Sequence, residues 1–348
     1  MLRSDGLRTA IVASIGRAFC DPQHIARGIA AGALNMRLAL GLRDRDLRQD
    51  FLAVRAAMEE AGRDALVLLD LPATRPRVGA MERKEFHPGK NVWLIDAPEV
   101  DPGDPAAVPI PGLANYTDAV RPGHRVVFRD GRQVFRVNTV NPGRIEAECL
   151  HAVEPLQAYN GCCFPDSGVL FRPVSSEDRA RLEELADAGL RPDWAAVSLV
   201  NSPSQLGEVR AVLDGVWPDN AIRIMPKIET GFAVDNAHEI ISEGDGVLVG
   251  RGDLGIALPP ERLPLVQAAI TREAHAQRKP VAVATQILEF FASTGTVNRA
   301  ELSDIALAVR DGVDGLVLCQ ETSDSRYAIE AIDLLHRVIA VESQDAAS

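Results

Sequence analysis

The sequence predicts an α/β fold, a closed (β/α)8 barrel with a small inserted β-barrel lid domain, on three observations. Eight short runs of aliphatic and β-branched residues recur along the chain, nearly continuous in apolar character. Strands of a parallel sheet buried on both faces must read that way. Between and after them lie stretches whose apolar residues recur at three and four, the mark of amphipathic helices. One excursion, residues 79–163, is far longer than a barrel loop requires and is rich in proline and glycine. Eight alternating strand and helix units make a closed TIM barrel the economical arrangement.

Taken in order, the first three strands are "TAIVASIG" (9–16), "LNMRLAL" (34–40) and "ALVLLDL" (65–71). The excursion follows the third. It contains "HRVVFRDGRQVFRVNTV", two alternating strands around an Asp130–Gly131 turn that suits a tight hairpin. The barrel is therefore assigned residues 1–78 and 164–345, and the inserted β domain residues 79–163. Active sites of such barrels lie at the C-terminal ends of the strands, where this insert emerges, so it is placed to act as a lid. Five further strands follow: "WAAVSLV" (194–200), "AIRIMPKIE" (221–229), "GVLVGR" (246–251), "PVAVATQ" (280–286) and "GLVLCQE" (315–321). Helices are expected over 261–278 and 299–312, where the apolar residues recur at helical spacing.

Composition narrows the class of function. The 348 residues are 46% hydrophobic and 25% charged, ordinary for a soluble protein with a large core. A net charge of -12 without a basic block repels nucleic acid and anionic membranes. No apolar run is long enough for a signal or a membrane span, so a cytoplasmic location is expected. Five cysteines without zinc-type spacing fit reduced thiols, and adjacent Cys162 and Cys163 read as packing residues. A homo-oligomer is the expected assembly.

The chemistry concentrates at the strand ends. In "MPKIETG" (225–231) Lys227 and Glu229 stand two apart and share a strand face, so both project from the mouth of the fifth barrel strand. The next strand runs into "GRGDLG", which brings Asp253 beside Glu229. Two converging carboxylates repel unless a cation lies between them, and oxygen ligands without histidine or cysteine favour Mg2+ or Mn2+. Gly250, Gly252 and Gly255 let backbone N–H groups approach a ligand carboxylate. One strand further, Thr285 supplies a hydroxyl at the same rim. Alone, Lys227 and Glu229 would equally suit a structural ion pair, and "RGDLG" a surface turn; three consecutive strand ends with polar groups point to an active site.

With these residues in place, "KIE", "GRGDLGI", "KPVAVATQILE" and "NRAELSDIALAVRDGVDGLVLCQET" resemble, in order and spacing, the barrel core of the pyruvate kinase family. The likeness continues through "TAIVASIG", Arg37 in "MRLAL", Asp70 closing "LLD", the lid in the matching loop and "PVSSEDRARL", and so covers nearly the whole chain. The resemblance implies Glu229 and Asp253 as Mg2+ ligands, and Lys227 as the residue that stabilises the phosphoryl group and the enolate. It further implies Thr285 near the methylene carbon, Arg37 on the transferred phosphate and Arg77 as a second phosphate contact. Asp70, Ser198, Arg43 and Arg75 are further candidates at the same mouth.

The departures from the family pattern cluster on one side. The asparagine and serine that bind a monovalent cation in the family become Ala39 and Gly41, and the threonine after Asp70 becomes Leu71, which puts K+ binding in doubt. A lysine of the nucleotide side aligns with Glu177, and a proline near the nucleotide becomes Arg17. One unit charge about 6 Å from another at an effective dielectric of about 20 is worth roughly 2–3 kcal/mol, so the reversal at Glu177 calls for compensation by Arg17, Arg43 or Arg75. The chain stops after the eighth helix, without the C-terminal domain that carries effector sites in many family members; control through such a domain is not expected.

The expected partner is a small molecule: phosphoenolpyruvate, pyruvate or a related 2-oxo acid. Phosphoryl transfer to ADP, or another acceptor suited to the altered pocket, is the first reading, and it expects arginines near 17, 43 and 75 to line a phosphate-sized cavity opposite Glu229. A nucleotide-free metal-dependent lyase working through a pyruvate enolate is the alternative, and it expects a closed pocket too small for a nucleotide.

Overall fold

The computed structural model describes residues 2–42, 45–101, 103–129, 131–219 and 221–345. In chain order the strands are β1 (Ala10–Ser14), β2 (Asn35–Ala39), β3 (Leu66–Leu71), then β4 (Asn91–Ile95), β5 (Ala107–Pro109), β6 (Arg125–Phe128), β7 (Gln133–Asn141), β8 (Arg144–Ala152) and β9 (Cys162–Cys163). They are followed by β10 (Trp194–Val197), β11 (Arg223–Ile228), β12 (Val247–Gly250), β13 (Val281–Ala284) and β14 (Gly315–Leu318). The barrel closes in the order β1-β14-β13-β12-β11-β10-β3-β2, and its neighbouring strands pair in parallel.

Period-two alternation explains why it closes on a solid core. Outward residues such as Ile11, Val67, Leu69, Ile224 and Val283 pack against the surrounding helices. Inward residues, among them Val12, Leu68, Trp194, Met225, Leu248, Ala282 and Val317, fill the interior, with Leu2 packed into the same cluster. At the same inner face Asn35 is tied to the N-terminal segment, accepting from the Arg3 N–H at 3.0 Å and donating to the Arg3 carbonyl at 2.8 Å.

The helices begin where short polar side chains cap them. Asp21 caps Pro22–Ala30, Asp46 caps Leu47–Ala61, and Asn298 caps Arg299–Arg310. Ser175 and Asp178 form a reciprocal capping box on Ser176–Asp187. The helix expected over 261–278 is Leu263–Ala276 behind a single 3-10 turn, Pro260–Arg262. Among the described residues no helix is long and apolar enough to cross a membrane.

Several strands are shorter at their C-terminal ends than the apolar runs suggest. Leu199, Thr285 and Gln286 take φ values of +54°, +75° and +54°, so the backbone leaves the sheet there. Asp253 correspondingly stands not at a strand end but on the short helix Arg251–Ala257 that follows β12.

The second sheet has the order β5-β4-β8-β7-β6-β9, with β bulges between Val134 and Phe135 and between Val137 and Thr139 that bend it over its own core. Phe135 is the centre of that core, edge-on to Phe86 at 5.5 Å and to Phe128 at 5.7 Å. In the β6–β7 turn Gly131 has φ +90°, and the Arg132 N–H donates to the Arg129 carbonyl at 3.1 Å; Asp130 lies outside the described residues. Two antiparallel connections join the sheets, bridged at Arg77 and Gly161, with the Cys162 N–H donating to the Pro76 carbonyl at 2.9 Å. The sheet rests on the barrel through Arg125, which pairs with Asp166 and donates to the Ile256 carbonyl at 3.0 Å.

Phe135→Ala should remove about 3–5 kcal/mol from the second sheet. Hydrogen exchange of the β6, β7 and β8 amides checks this, with barrel amides unchanged.

Candidate active site

The inward rows change character as they approach the C-terminal mouth. Leu66 and Leu68 lead to Asp70 on β3, Trp194 and Ala196 lead to Ser198 after β10, and Met225 leads to Lys227 on β11 and Glu229 just beyond it. Arg37 occupies the inward row of β2. Packed at the inner face of the barrel and largely withdrawn from water, these side chains answer one another. Arg37 Nε and Nη2 both reach Asp70 Oδ2 at 2.7 Å, while its Nη1 donates to Ser14 Oγ at 2.9 Å. Asp70 Oδ1 accepts from Lys227 Nζ at 2.9 Å, and Nζ also donates to Ser198 Oγ at 2.9 Å. Lys227 Nζ then lies 3.5 Å from Glu229 Oε1, and Glu229 Oε2 accepts from the Leu199 N–H at 2.9 Å.

The titration directions follow from this alternation. Burial opposes the charge of Asp70, but Lys227 and Arg37 more than reverse it and hold the carboxyl below its ordinary range. Burial likewise opposes the charge of Lys227, yet Asp70 and Glu229 keep its pKa raised, and Arg37 is raised in the same way by Asp70. Glu229 moves the other way. Its burial, with the Asp253 carboxylate adding repulsion, outweighs Lys227 and raises its pKa. Along the row Arg37, Asp70, Lys227, Glu229, Asp253 and Arg75, therefore, the one like-charged neighbouring pair is Glu229 with Asp253.

That pair fits a hard divalent cation. Among the described residues no group of three or more His, Cys, Asp or Glu could hold a metal unaided. Mg2+ commonly takes only one or two carboxylates and fills the other positions with substrate oxygens and water. The Glu229 carboxylate reaches this place by lying across Gly250, where a Cβ would come 2.6 Å from its Cγ. Asp253 Oδ1 is met by Arg75 Nη1 at 3.3 Å, and the Arg75 guanidinium lies against Gly161, where a Cβ would come 2.9 Å from its Nε.

Thr285 faces the same cavity from a left-handed turn that bulky residues avoid. Buried Arg251 holds that turn. Its Nη2 donates to the carbonyls of Thr285 and Gln286, both at 2.8 Å, its Nε donates to Thr285 at 3.1 Å, and its Nη1 pairs with Asp304 at 2.7 Å. Glu321 does the same for the following residues, accepting from Ile287 and Leu288 N–H through Oε1 and from Cys319 N–H through Oε2. Sequence reasoning assigned no role to Arg251 or Glu321, because nothing in a linear motif reveals that a side chain turns inward to hold a backbone.

The cavity has a volume of about 280 Å3 and is lined by Arg37, Asp70, Lys227, Glu229, Gly252, Asp253, Thr285 and Cys319, with Arg132 reaching in from the second sheet. Burial raises the Cys319 thiol above its ordinary value. Not every expected residue faces this space. Ser198 stands behind Lys227 and is buried. Arg77 lines an adjoining cavity with Arg75, Arg129 and Arg132. The expected trio of Arg17, Arg43 and Arg75 is corrected accordingly: Arg75 lines the adjoining cavity, exposed Arg17 lines neither, and Arg43 lies outside the described residues. Glu177 lines a third, separate cavity. Arg129 and Arg132, not singled out from the sequence, were visible there as the basic hairpin tip "FRDGR".

A family model described as pyruvate kinase, barrel domain, matches residues 7–332. The chain belongs to the pyruvate kinase family. It is 32% identical over 342 residues to the pyruvate kinase of Methylorubrum extorquens, covering 97% of this chain and 69% of that protein. It is also 32% identical over 347 residues to that of Mycobacterium tuberculosis, covering 98% and 71%. A crystal structure of a pyruvate kinase from Cryptosporidium parvum superposes with a TM-score of 0.88 at 24% identity, covering 97% of this chain and 69% of that one, a likeness of fold.

Two outcomes follow for this pyruvate kinase family site. Gly250→Ala should push the Glu229 carboxylate aside and weaken Mn2+ binding by about tenfold or more, checked by Mn2+ titration, with secondary structure retained. Asp70→Asn leaves buried Lys227 and half-buried Arg37 without their shared counter-ion and should cost about 3–5 kcal/mol in denaturant unfolding. Because the folded Asp70 pKa is lowered, its stabilisation is complete above the ordinary value of 3.8 and is lost as pH falls through the lower folded value. The gap between wild type and variant should therefore stay constant above about 3.8, narrow as pH falls from there to the lower folded value, and change no further beneath it.

Proposed function

We propose that the chain transfers a phosphoryl group between phosphoenolpyruvate and an anionic acceptor, with residues 79–163 as the lid of the site. The observation that carries this reading is the like-charged pair Glu229 and Asp253, lining one cavity beside Lys227 at the mouth of a pyruvate kinase family barrel. Glu229 and Asp253 would hold Mg2+ or Mn2+, which when bound supplies Lewis acidity toward the enolate and phosphoryl oxygens. Lys227, kept charged by Asp70, offsets negative charge as it develops on those oxygens. Arg37, its plane fixed on Asp70, presents its remaining edge to the phosphate. Thr285, at the wall of the same cavity with its backbone held by Arg251, would serve proton delivery to the methylene carbon. Asp70 gives its oxygens to Arg37 and Lys227, and Ala39 and Gly41 add no side-chain oxygen, so K+ is not assigned to that place.

The lyase alternative is not favoured. It calls for a closed pocket with no room for an acceptor, whereas the central cavity shares Arg132 and Gln320 with the arginine-lined one. Family membership also supports transfer.

The test is pyruvate formation by the purified protein from phosphoenolpyruvate and Mg2+, with and without ADP. Lys227→Met should lower turnover by about 10²–10³-fold or more while Mn2+ binding stays measurable. Full activity in that variant refutes the assignment.

A further inference from the structure

Arg37 is held by its counter-ion at a single point. Its Nε donates to Asp70 Oδ2 at 2.7 Å, and its Nη2 lies 2.7 Å from the same oxygen. A carboxylate that fixes a guanidinium completely gives it both oxygens, in two parallel bonds. Here the second oxygen is taken, because Asp70 Oδ1 meets Lys227 Nζ at 2.9 Å and Ser198 Oγ at 3.4 Å. Sharing one carboxylate between two cations thus leaves the guanidinium edge resting on one oxygen, about which the group can swing. A second anchor is needed to stop that motion.

Ser14 supplies it. Ala10 and Val12 of β1 face the barrel interior, so the period of two turns Ser14 the same way at the strand's last residue. It pairs with Arg37 in the β1–β2 register, and its Oγ accepts from Arg37 Nη1 at 2.9 Å. The backbone beneath that hydroxyl is itself clamped. The Ser14 N–H donates to Thr322 Oγ1 at 2.9 Å, and the Thr322 hydroxyl donates back to the Ser14 carbonyl at 2.9 Å. Both residues are buried. Thr322 lies on the short helix Gln320–Ser323, which packs on the end of β1: the Ala18 N–H donates to the Ser323 carbonyl at 2.8 Å, and a Cβ on Gly16 would collide with Ser323.

Asp70 and Ser14 together occupy three of the five N–H groups of Arg37, which leaves one on each terminal nitrogen for the cavity that Arg37 lines. Two such groups match two oxygens of one phosphoryl group. We propose that Ser14 is a positioning residue for phosphoryl transfer: its hydroxyl, held in place by Thr322, sets the direction in which Arg37 meets the phosphoryl group. The inference rests on the reading of the central site as a phosphoenolpyruvate site. Ser14 is not part of the central cavity wall, so it acts through Arg37. Its effect therefore falls on ligands that carry a phosphoryl group and spares those that do not.

Calorimetric titration with phosphoenolpyruvate and, separately, with oxalate, a planar dianion without a phosphoryl group, reads this difference in the presence of Mn2+. Ser14→Ala should weaken phosphoenolpyruvate binding about tenfold or more, the scale of a lost hydrogen bond to a charged group, with oxalate and Mn2+ binding within about twofold of wild type. A general loss of structure would weaken all three. Thr322→Val removes the clamp without touching Arg37 or the Ser14 hydroxyl and should give the same selective loss. In an Arg37→Lys background Ser14→Ala should add less than about twofold, since the group it positions is gone. Unchanged phosphoenolpyruvate binding in Ser14→Ala, equal losses for phosphoenolpyruvate and oxalate, or a full further loss on top of Arg37→Lys overturns the proposal. Wild-type protein that binds no phosphoenolpyruvate overturns the reading of the central site and this inference with it. Wild-type binding and turnover with an indifferent Ser14→Ala overturns this inference alone.

Discussion

A charge drawn into the mouth of a barrel must be met by an opposite charge, and the mouth of this one is organised by that demand. The shared anchor is Asp70, which takes the guanidinium of Arg37 on one oxygen and the ammonium of Lys227 on the other. Remove it and a buried ammonium faces a half-buried guanidinium. With it in place, the alternation passes to Lys227 and Glu229 and then fails once, at Glu229 and Asp253. The proposed chemistry is assigned to that failure, because two neighbouring carboxylates, each with a cation only on its far side, leave room for a further one between them.

Around this charge row the backbone is held in conformations that apolar runs alone would not adopt. Leu199 turns left-handed and directs its N–H to Glu229, and Thr285 and Gln286 do so under three hydrogen bonds from Arg251. Such strain persists only where surrounding groups over-determine it. Arg251 therefore acts on the site from outside the central cavity, while Glu321, at the cavity wall, gives both its oxygens to backbone N–H groups. Their contribution is geometric, fixing where a hydroxyl and a cavity wall stand relative to the carboxylates.

The second sheet completes the enclosure and changes its character. Its hairpin tip meets the helix that carries Asp253, with Gly131 close to Ile256 and Arg125 bonded to the Ile256 carbonyl. Guanidinium groups from this sheet then confront the acidic pair across a small space. A net-negative protein thus keeps a local positive wall where an anionic ligand would arrive, since short-range contacts outweigh the screened field of the whole molecule.

Strand periodicity and the apolar runs were enough to read eight parallel strands, the inserted sheet and the barrel mouth, because burial on both faces dictates composition directly. The same period-two rule placed Lys227 and Glu229 on one face, and the order of strands set Asp253 and Thr285 beside them. Other features were not legible. The left-handed turns at Leu199 and Thr285, the inward reach of Arg251 and the pairing of Arg129 and Arg132 on Glu154 all join residues far apart in the chain. So does the separation of Glu177 from the site. Local patterns report which face a residue occupies; how far a long charged side chain travels, and which partner stops it, is settled only when distant segments are packed together.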